Sequence, residues 1–108
     1  MKQYELWWAD MPPPTGRRAV LLLSRDRAYR VLSHATVAEI STTIRNIPVE
    51  VELGRAEGLG RDSVANLDNI QAVALRRLTE RIGVLSPERA WDVERAIGFA
   101  FDIDRLKD

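Results

Sequence analysis

Gly16-Arg17-Arg18-Ala19-Val20-Leu21-Leu22-Leu23-Ser24 sets a glycine turn and two arginines directly before an unbroken apolar run. Five consecutive apolar residues between a Pro/Gly loop and a charged segment are too few for an isolated helix, and they predict a strand buried on both faces. An arginine at the mouth of such a strand is held at a fixed position beside a loop. The planar five-donor fork of Arg18 suits a phosphate or a carboxylate better than lysine would. The same residue type at a strand end also serves as an ordinary ion-pair partner. A matching polar group elsewhere in the chain is what separates the two readings.

On the N-terminal side, Tyr4-Glu5-Leu6-Trp7-Trp8-Ala9-Asp10 mixes alternation with aromatics and predicts a first strand. Met11-Pro12-Pro13-Pro14-Thr15-Gly16 then reads as a stiff loop, because prolines have fixed φ and no N–H to donate. Such a loop can wall a groove or act as a polyproline-type ligand, but at this length a rigid connection is favoured. On the C-terminal side, the charged stretch Arg25–Leu32 allows at most two helical turns. His34–Thr43 predicts a third strand ending in hydroxyls, and Pro48–Leu53 alternates as a half-exposed strand expected to pair with it through Arg45–Ile47. Gly54–Gly60 is a turn with three glycines, followed by short strands at Asp62–Leu67, Gln71–Leu75 and Arg81–Leu85. Ser86-Pro87-Glu88 supplies an N-cap, proline at the first helical position and an acid at the positive end of the dipole. A helix over 87–103 is expected to bury Ala90, Val93, Ile97, Ala100 and Phe101, with Trp91 as core or dimer contact rather than ligand platform. The expected fold is mainly β, a compact antiparallel barrel-like sheet with a terminal α-helix laid on it, in one domain over residues 1–108.

At 108 residues the core is modest, so association with a second copy would add stability. The chain has no cysteine, hence no disulfide, thiolate nucleophile or Cys-based zinc site, which suits a cytoplasmic protein. No signal-peptide core opens the sequence, and no apolar run reaches membrane-spanning length. Net charge is zero, yet residues 1–45 carry seven basic against four acidic groups and residues 86–108 four against six, an asymmetry that permits a polyanionic partner. One histidine and no cysteine exclude most metal and nucleophile constellations. His34 reads as structural or exposed, and Glu50 and Glu52 as a solvated outer strand face. There is no P-loop and no GxGxxG. What remains is Arg18 at one strand start and Ser41 at another strand's end. If those strands are antiparallel neighbours, the two ends share one rim of the sheet.

Taken in order, Gly16–Ser24, Val37-Ala38-Glu39-Ile40-Ser41-Thr42, Glu57-Gly58-Leu59-Gly60-Arg61-Asp62-Ser63-Val64, Asp68-Asn69-Ile70, and Arg77-Leu78 before Ile82-Gly83-Val84-Leu85 resemble the MazF/PemK family of toxin endoribonucleases over nearly the whole chain. The resemblance implies a CcdB/MazF-like, SH3-type small barrel and a homodimer. It also implies single-stranded RNA as substrate and inhibition by a cognate antitoxin, with no cofactor and no metal. The arginine of the family's Gly-x-Arg-Pro strand start falls on Arg18, and the Thr or Ser ending its third strand falls on Ser41. These would be the catalytic pair, with Pro13, Pro14, Thr15, Arg17 and Thr42 contacting substrate. By that reading Arg18 binds the scissile phosphate as the 2′-hydroxyl attacks, Ser41 orients that hydroxyl or a phosphate oxygen, and the general base stays open between Tyr29 and water. Three departures bear on substrate preference: no Arg-Gly-Asp precedes Tyr4, Ala19 stands for proline, and the first loop is short with three prolines. The alternative on the same fold is a CcdB-like toxin that binds DNA gyrase without catalysis. That toxin relies on a C-terminal Trp-Gly-Ile, whereas this chain ends Asp104-Arg105-Leu106-Lys107-Asp108.

Overall fold

The computed structural model describes residues 1–107. Six strands form one antiparallel half-barrel sheet: β1 (Glu5–Asp10), β2 (Arg17–Leu22), β3 (His34–Ser41), β4 (Glu50–Leu53), β5 (Ser63–Ala74) and β6 (Leu78–Val84), in the spatial order β4-β5-β3-β2-β1-β6. A short helix α1 (Ala28–Val31) separates β2 from β3, and the chain finishes with α2 (Pro87–Phe101) and α3 (Asp104–Lys107). No described helix is long and apolar enough to cross a membrane.

The apolar run is covered on both sides, as an unalternating strand requires. Ala19 and Leu21 join the cluster under α2 with Leu6, Ile40, Val93 and Ala96, whereas Val20 and Leu22 join a second cluster with Ala9, Val37, Val73 and Leu78. Val20, Leu21 and Leu22 are fully buried, each worth roughly 1.5–3 kcal/mol of apolar burial. This makes β2 the rigid centre of the sheet. The proline loop closes a hairpin from β1 into β2. Met11 N–H bonds to Gly16 O (3.0 Å) and Thr15 N–H to Pro12 O (3.1 Å). Gly16 sits at φ 66°, where a side chain is strained.

Several sequence-based expectations change. β4 does not pair with β3 but lies outside β5, Val51 facing Ala65 and Leu53 facing Ser63, so the connection after Ser41 passes over to the far edge of the sheet. The two short strands expected at 62–67 and 71–75 are one strand, β5, whose ladder with β3 is interrupted by a bulge between the pairs Ala38↔Ile70 and Glu39↔Asn66. The last strand begins three residues earlier than expected, at Leu78, and β3 stops at Ser41. Glu50 is not on a solvated face. Its side chain is only 2 % exposed, while Glu52 is exposed.

Helix α2 starts as the sequence indicates, with Ser86 Oγ accepting from Arg89 N–H (3.2 Å) and Pro87 in the first turn. It ends at Asp102 in the left-handed region, φ 54°. Val93, Ala96 and Gly98 are buried, with Ile97 and Ala100 packed at the edge. Phe101 is 58 % exposed instead of buried, because the helix stops there and α3 folds back over the bare backbone of Gly98. Trp91, 61 % exposed, is not part of this chain's core.

Candidate functional site

At the rim where β2 begins and β3 ends, a cavity of about 570 Å³ opens. The β2/β3 register runs Leu22↔Val37, Leu21↔Ala38, Val20↔Glu39. The ladder ends there; two residues beyond its last pair, Arg18 on β2 and Ser41 on β3 fall by alternation on the face of Val20 and Glu39, and both line the cavity. Arg17, one residue earlier, points to the opposite face, where Trp8 and Ala19 lie. The cavity wraps around the strand ends and takes residues from both faces: Arg17, Arg18, Ser41, Thr42 and Thr43 line it over an apolar floor of Trp8, Ala19, Ile40 and Leu59. Gly60, Arg61 and Ser63 complete it from the turn before β5.

Three guanidinium groups reach this cavity and no carboxylate lines it, so its mouth is electropositive. Among the described residues Arg18 enters no ion pair, which removes the ordinary salt bridge as its explanation. Arg17 differs: its guanidinium lies 4.2 Å from the Trp8 ring centroid and 3.6 Å from Glu80 Oε1. Ser41 Oγ accepts from Thr43 N–H (3.0 Å), which leaves its own hydroxyl proton free to donate outward. The connection that follows Ser41 is held from behind. The buried Glu50 carboxylate accepts from the Arg45 and Asn46 N–H groups at 2.8 and 3.0 Å, and the Arg45 guanidinium stands 3.9 Å away.

Of the residues singled out from sequence, Arg17, Arg18, Ser41 and Thr42 come together in one cavity, and Pro13, Pro14 and Thr15 do not. Those three lie exposed at the tip of the β1–β2 hairpin. His34 is exposed with Nδ1 3.0 Å from Ser33 Oγ, at the other end of β3 from Ser41. Tyr29 also stands apart. Burial pushes its hydroxyl up to about 12, and it packs with the second apolar cluster instead of lining the cavity. Trp8, Ile40, Leu59 and Arg61 were not selected from sequence. Trp8 was detectable as the residue whose strand pairs with the start of β2, and Leu59-Gly60-Arg61 as part of a glycine turn close to a strand. Among the described residues no group of three or more His, Cys, Asp or Glu is placed to hold a metal ion.

Residues 2–101 match the family model described as PemK-like, MazF-like toxin of type II toxin-antitoxin system. The chain is 38% identical over 102 residues to the probable endoribonuclease MazF5 of Mycobacterium tuberculosis, covering 94% of this chain and 93% of that one. It is 31% identical over 105 residues to endoribonuclease EndoA of Bacillus subtilis, covering 90% of each. Its fold superposes on the Mycobacterium tuberculosis toxin MazF-mt6 with TM-score 0.86 and 34% identity, over 93% of this chain and 98% of that one. It also superposes on an endoribonuclease solved in complex with its cognate antitoxin from a mycobacterial species, with TM-score 0.84 and 21% identity, over 95% of this chain and 96% of that one. A family match that runs from the start of the first strand's approach to the end of α2 takes in every residue of the cavity, and the chain belongs to the PemK/MazF family of type II toxins.

Proposed function

We propose that this chain is a toxin endoribonuclease that cuts single-stranded RNA sequence-selectively by attack of the substrate's own 2′-hydroxyl. The observation that carries the reading is that Arg18, without an ion pair among the described residues, and Ser41 line one basic cavity that no carboxylate lines. Relatives named endoribonuclease support it. In the reaction the 2′-oxygen bonds to phosphorus, the bond from phosphorus to the 5′-oxygen breaks, and the products are a 2′,3′-cyclic phosphate and a 5′-hydroxyl. The attacking hydroxyl's proton leaves to a base and the departing oxygen gains one, with water as the carrier. Arg18 donates to the non-bridging oxygens as charge builds on them, and the Ser41 hydroxyl donates to the same phosphate or aligns the 2′-hydroxyl. Arginine stays protonated, so its part is electrostatic rather than proton transfer.

The active form is a homodimer acting in the cytoplasm, each copy a single domain over residues 1–108, and a cognate antitoxin inhibits it by covering the cavity. The solved antitoxin complex of a protein with this fold supports that partner, and the exposed Trp91 of α2 is a contact available to a second copy. Cleavage of a defined RNA oligonucleotide in EDTA tests the mechanism. Cyclic phosphate ends should form without added metal, and a 2′-deoxy substitution at the scissile nucleotide should abolish cutting while binding persists. Metal-dependent cleavage, or cleavage of the 2′-deoxy oligonucleotide, refutes it.

A further inference from the structure

Arg17 and Arg18 are neighbours in sequence and unlike in surroundings. Arg18 has no ionic partner, whereas the charge of Arg17 is already answered by Glu80 at 3.6 Å. Its guanidinium also lies over the Trp8 ring at 4.2 Å. Trp8 pairs with Ala19 and Asp10 pairs with Arg17, so Trp8 is the diagonal neighbour of Arg17 on the same face. The indole is anchored beneath, packed against the buried cluster under α2. Flanked by an aromatic ring and a carboxylate, Arg17 still has a side chain 59% exposed. A flat guanidinium lying over an anchored indole and still open to solvent is a surface on which a nucleobase stacks.

We propose that Arg17, backed by Trp8, is a stacking platform for one nucleobase of the RNA, next to the phosphate held at Arg18. The proposal rests on the ribonuclease reading above and divides the work of the tandem arginines: Arg18 takes phosphate charge and Arg17 takes a base face. Because Arg17 already has an anion beside it, its contribution to binding is set by shape more than by charge. Lysine, which carries the charge on a compact ammonium without a flat face, cannot replace it.

The test uses the full chain and an RNA oligonucleotide that the wild type cuts, made uncleavable by 2′-deoxy substitution at the scissile nucleotide. A series of such oligonucleotides carries a single abasic nucleotide at each position in turn, and binding is followed by fluorescence anisotropy for the wild type, Arg17→Lys, Arg17→Ala and Trp8→Phe. One abasic position should weaken wild-type binding on the order of 5- to 100-fold, the range one stacked base contributes. At that position Arg17→Lys and Arg17→Ala should both already have lost the affinity and show no further abasic penalty, while Trp8→Phe, which keeps an aromatic backing, retains most of it. Wild-type affinity in Arg17→Lys means that only charge matters and overturns the platform. So does an abasic scan that is flat, or that has the same profile in Arg17→Ala as in the wild type. A wild type that cuts no RNA at all refutes the ribonuclease reading and the platform with it, so the two failures are told apart by the wild-type cleavage assay alone.

Discussion

Gly83→Ala should unfold this protein at a markedly lower temperature and disturb the candidate site from a distance. Gly83 lies in β6 opposite Leu6, beside an irregularity in the β1/β6 ladder. An added Cβ would stand 2.1 Å from Glu57 O and 2.9 Å from Glu57 C, both backbone atoms. Neither side yields easily. The 3-10 turn Arg55–Glu57 is closed by Glu57 N–H to Gly54 O (3.0 Å), and the buried Glu57 carboxylate takes the Gly54 N–H at 2.6 Å. Next in the chain, Gly58 sits at φ 96°, with its own Cβ position 2.5 Å from Ile82 O. Relieving the overlap requires β6 and this turn to separate by about 1 Å, overpacking of a kind that costs up to about 3 kcal/mol. For a chain of this length that cost corresponds to a fall in Tm of roughly 10–15 °C. The turn leads straight into Leu59-Gly60-Arg61, so the displacement reaches the cavity wall. Circular-dichroism melts check the first part, with Gly60→Ala as reference. Gly60 has nothing within 4 Å of its Cβ position, so its alanine variant should melt within a few degrees of the wild type. A Gly83→Ala variant within about 2 °C of the wild type would refute the packing argument.

Arg18→Lys keeps the charge but loses the fork and should slow RNA cleavage on the order of 100- to 1000-fold with the melt unchanged; Ser41→Ala should lose a similar or smaller factor, both read by single-turnover kinetics. Glu50→Ala leaves the Arg45 and Asn46 amides without their acceptor and should destabilise by about 2 kcal/mol in urea melts, while Glu50→Gln retains an acceptor and loses about half as much. Equal melts for wild type and Glu50→Ala would show that the connection after Ser41 is not held from there. The pH profile of stability should fall at both ends. Burial pushes the Glu5 carboxyl up, but hydrogen bonds from Trp7, Arg81 and the Lys2 amide, together with the Arg81 charge, outweigh it and hold the group below its ordinary 4.5. Its stabilisation is therefore full above that value and lost as pH falls through the lower folded-state value. At the other end, burial and then the bond and charge of Glu94 push the Tyr4 hydroxyl up to about 12 from 10.0, so stability should decline between those two values and Tyr4→Phe should remove the decline.

The central strand was legible because an apolar run without alternation has only one consistent placement, between two covering layers. The helix start was legible because its cap is local. What the sequence hid is non-local. Asp68-Asn69 looks like the end of one strand and the start of another, and only the facing residues of β3 show that the ladder resumes after the bulge. Pairing β4 with β3 follows from chain proximity, but the eight residues Thr42–Val49 are long enough to carry β4 to the far side of β5. Glu50 and Glu52 fit one alternating pattern and are equal in sequence. They differ in burial because only Glu50, at the strand's start, has two backbone N–H groups of the preceding loop within reach. The amphipathic reading of α2 named Phe101 as core because periodicity does not encode where a helix stops.

The same limit explains the site. The tandem arginine was visible, as was the hydroxyl at the end of β3, but a strand's two-residue period sends Arg17 and Arg18 to opposite faces, and what each meets there is decided by strands far away in sequence. On one face β3 carries Glu39, paired with Val20, and then Ser41, yet Arg18 enters no ion pair among the described residues. On the other, β1 brings Trp8 and β6 brings Glu80, so Arg17 lies over a ring and beside a carboxylate. Anchoring underlies both arrangements: with Val20, Leu21 and Leu22 fully buried, the mouth of β2 is held in place. An unpaired arginine at the mouth of a mobile strand would relax into the nearest ion pair. At the mouth of this one it stays available, and on the proposed reading an RNA that offers a phosphate to Arg18 sets the adjoining base beside Arg17.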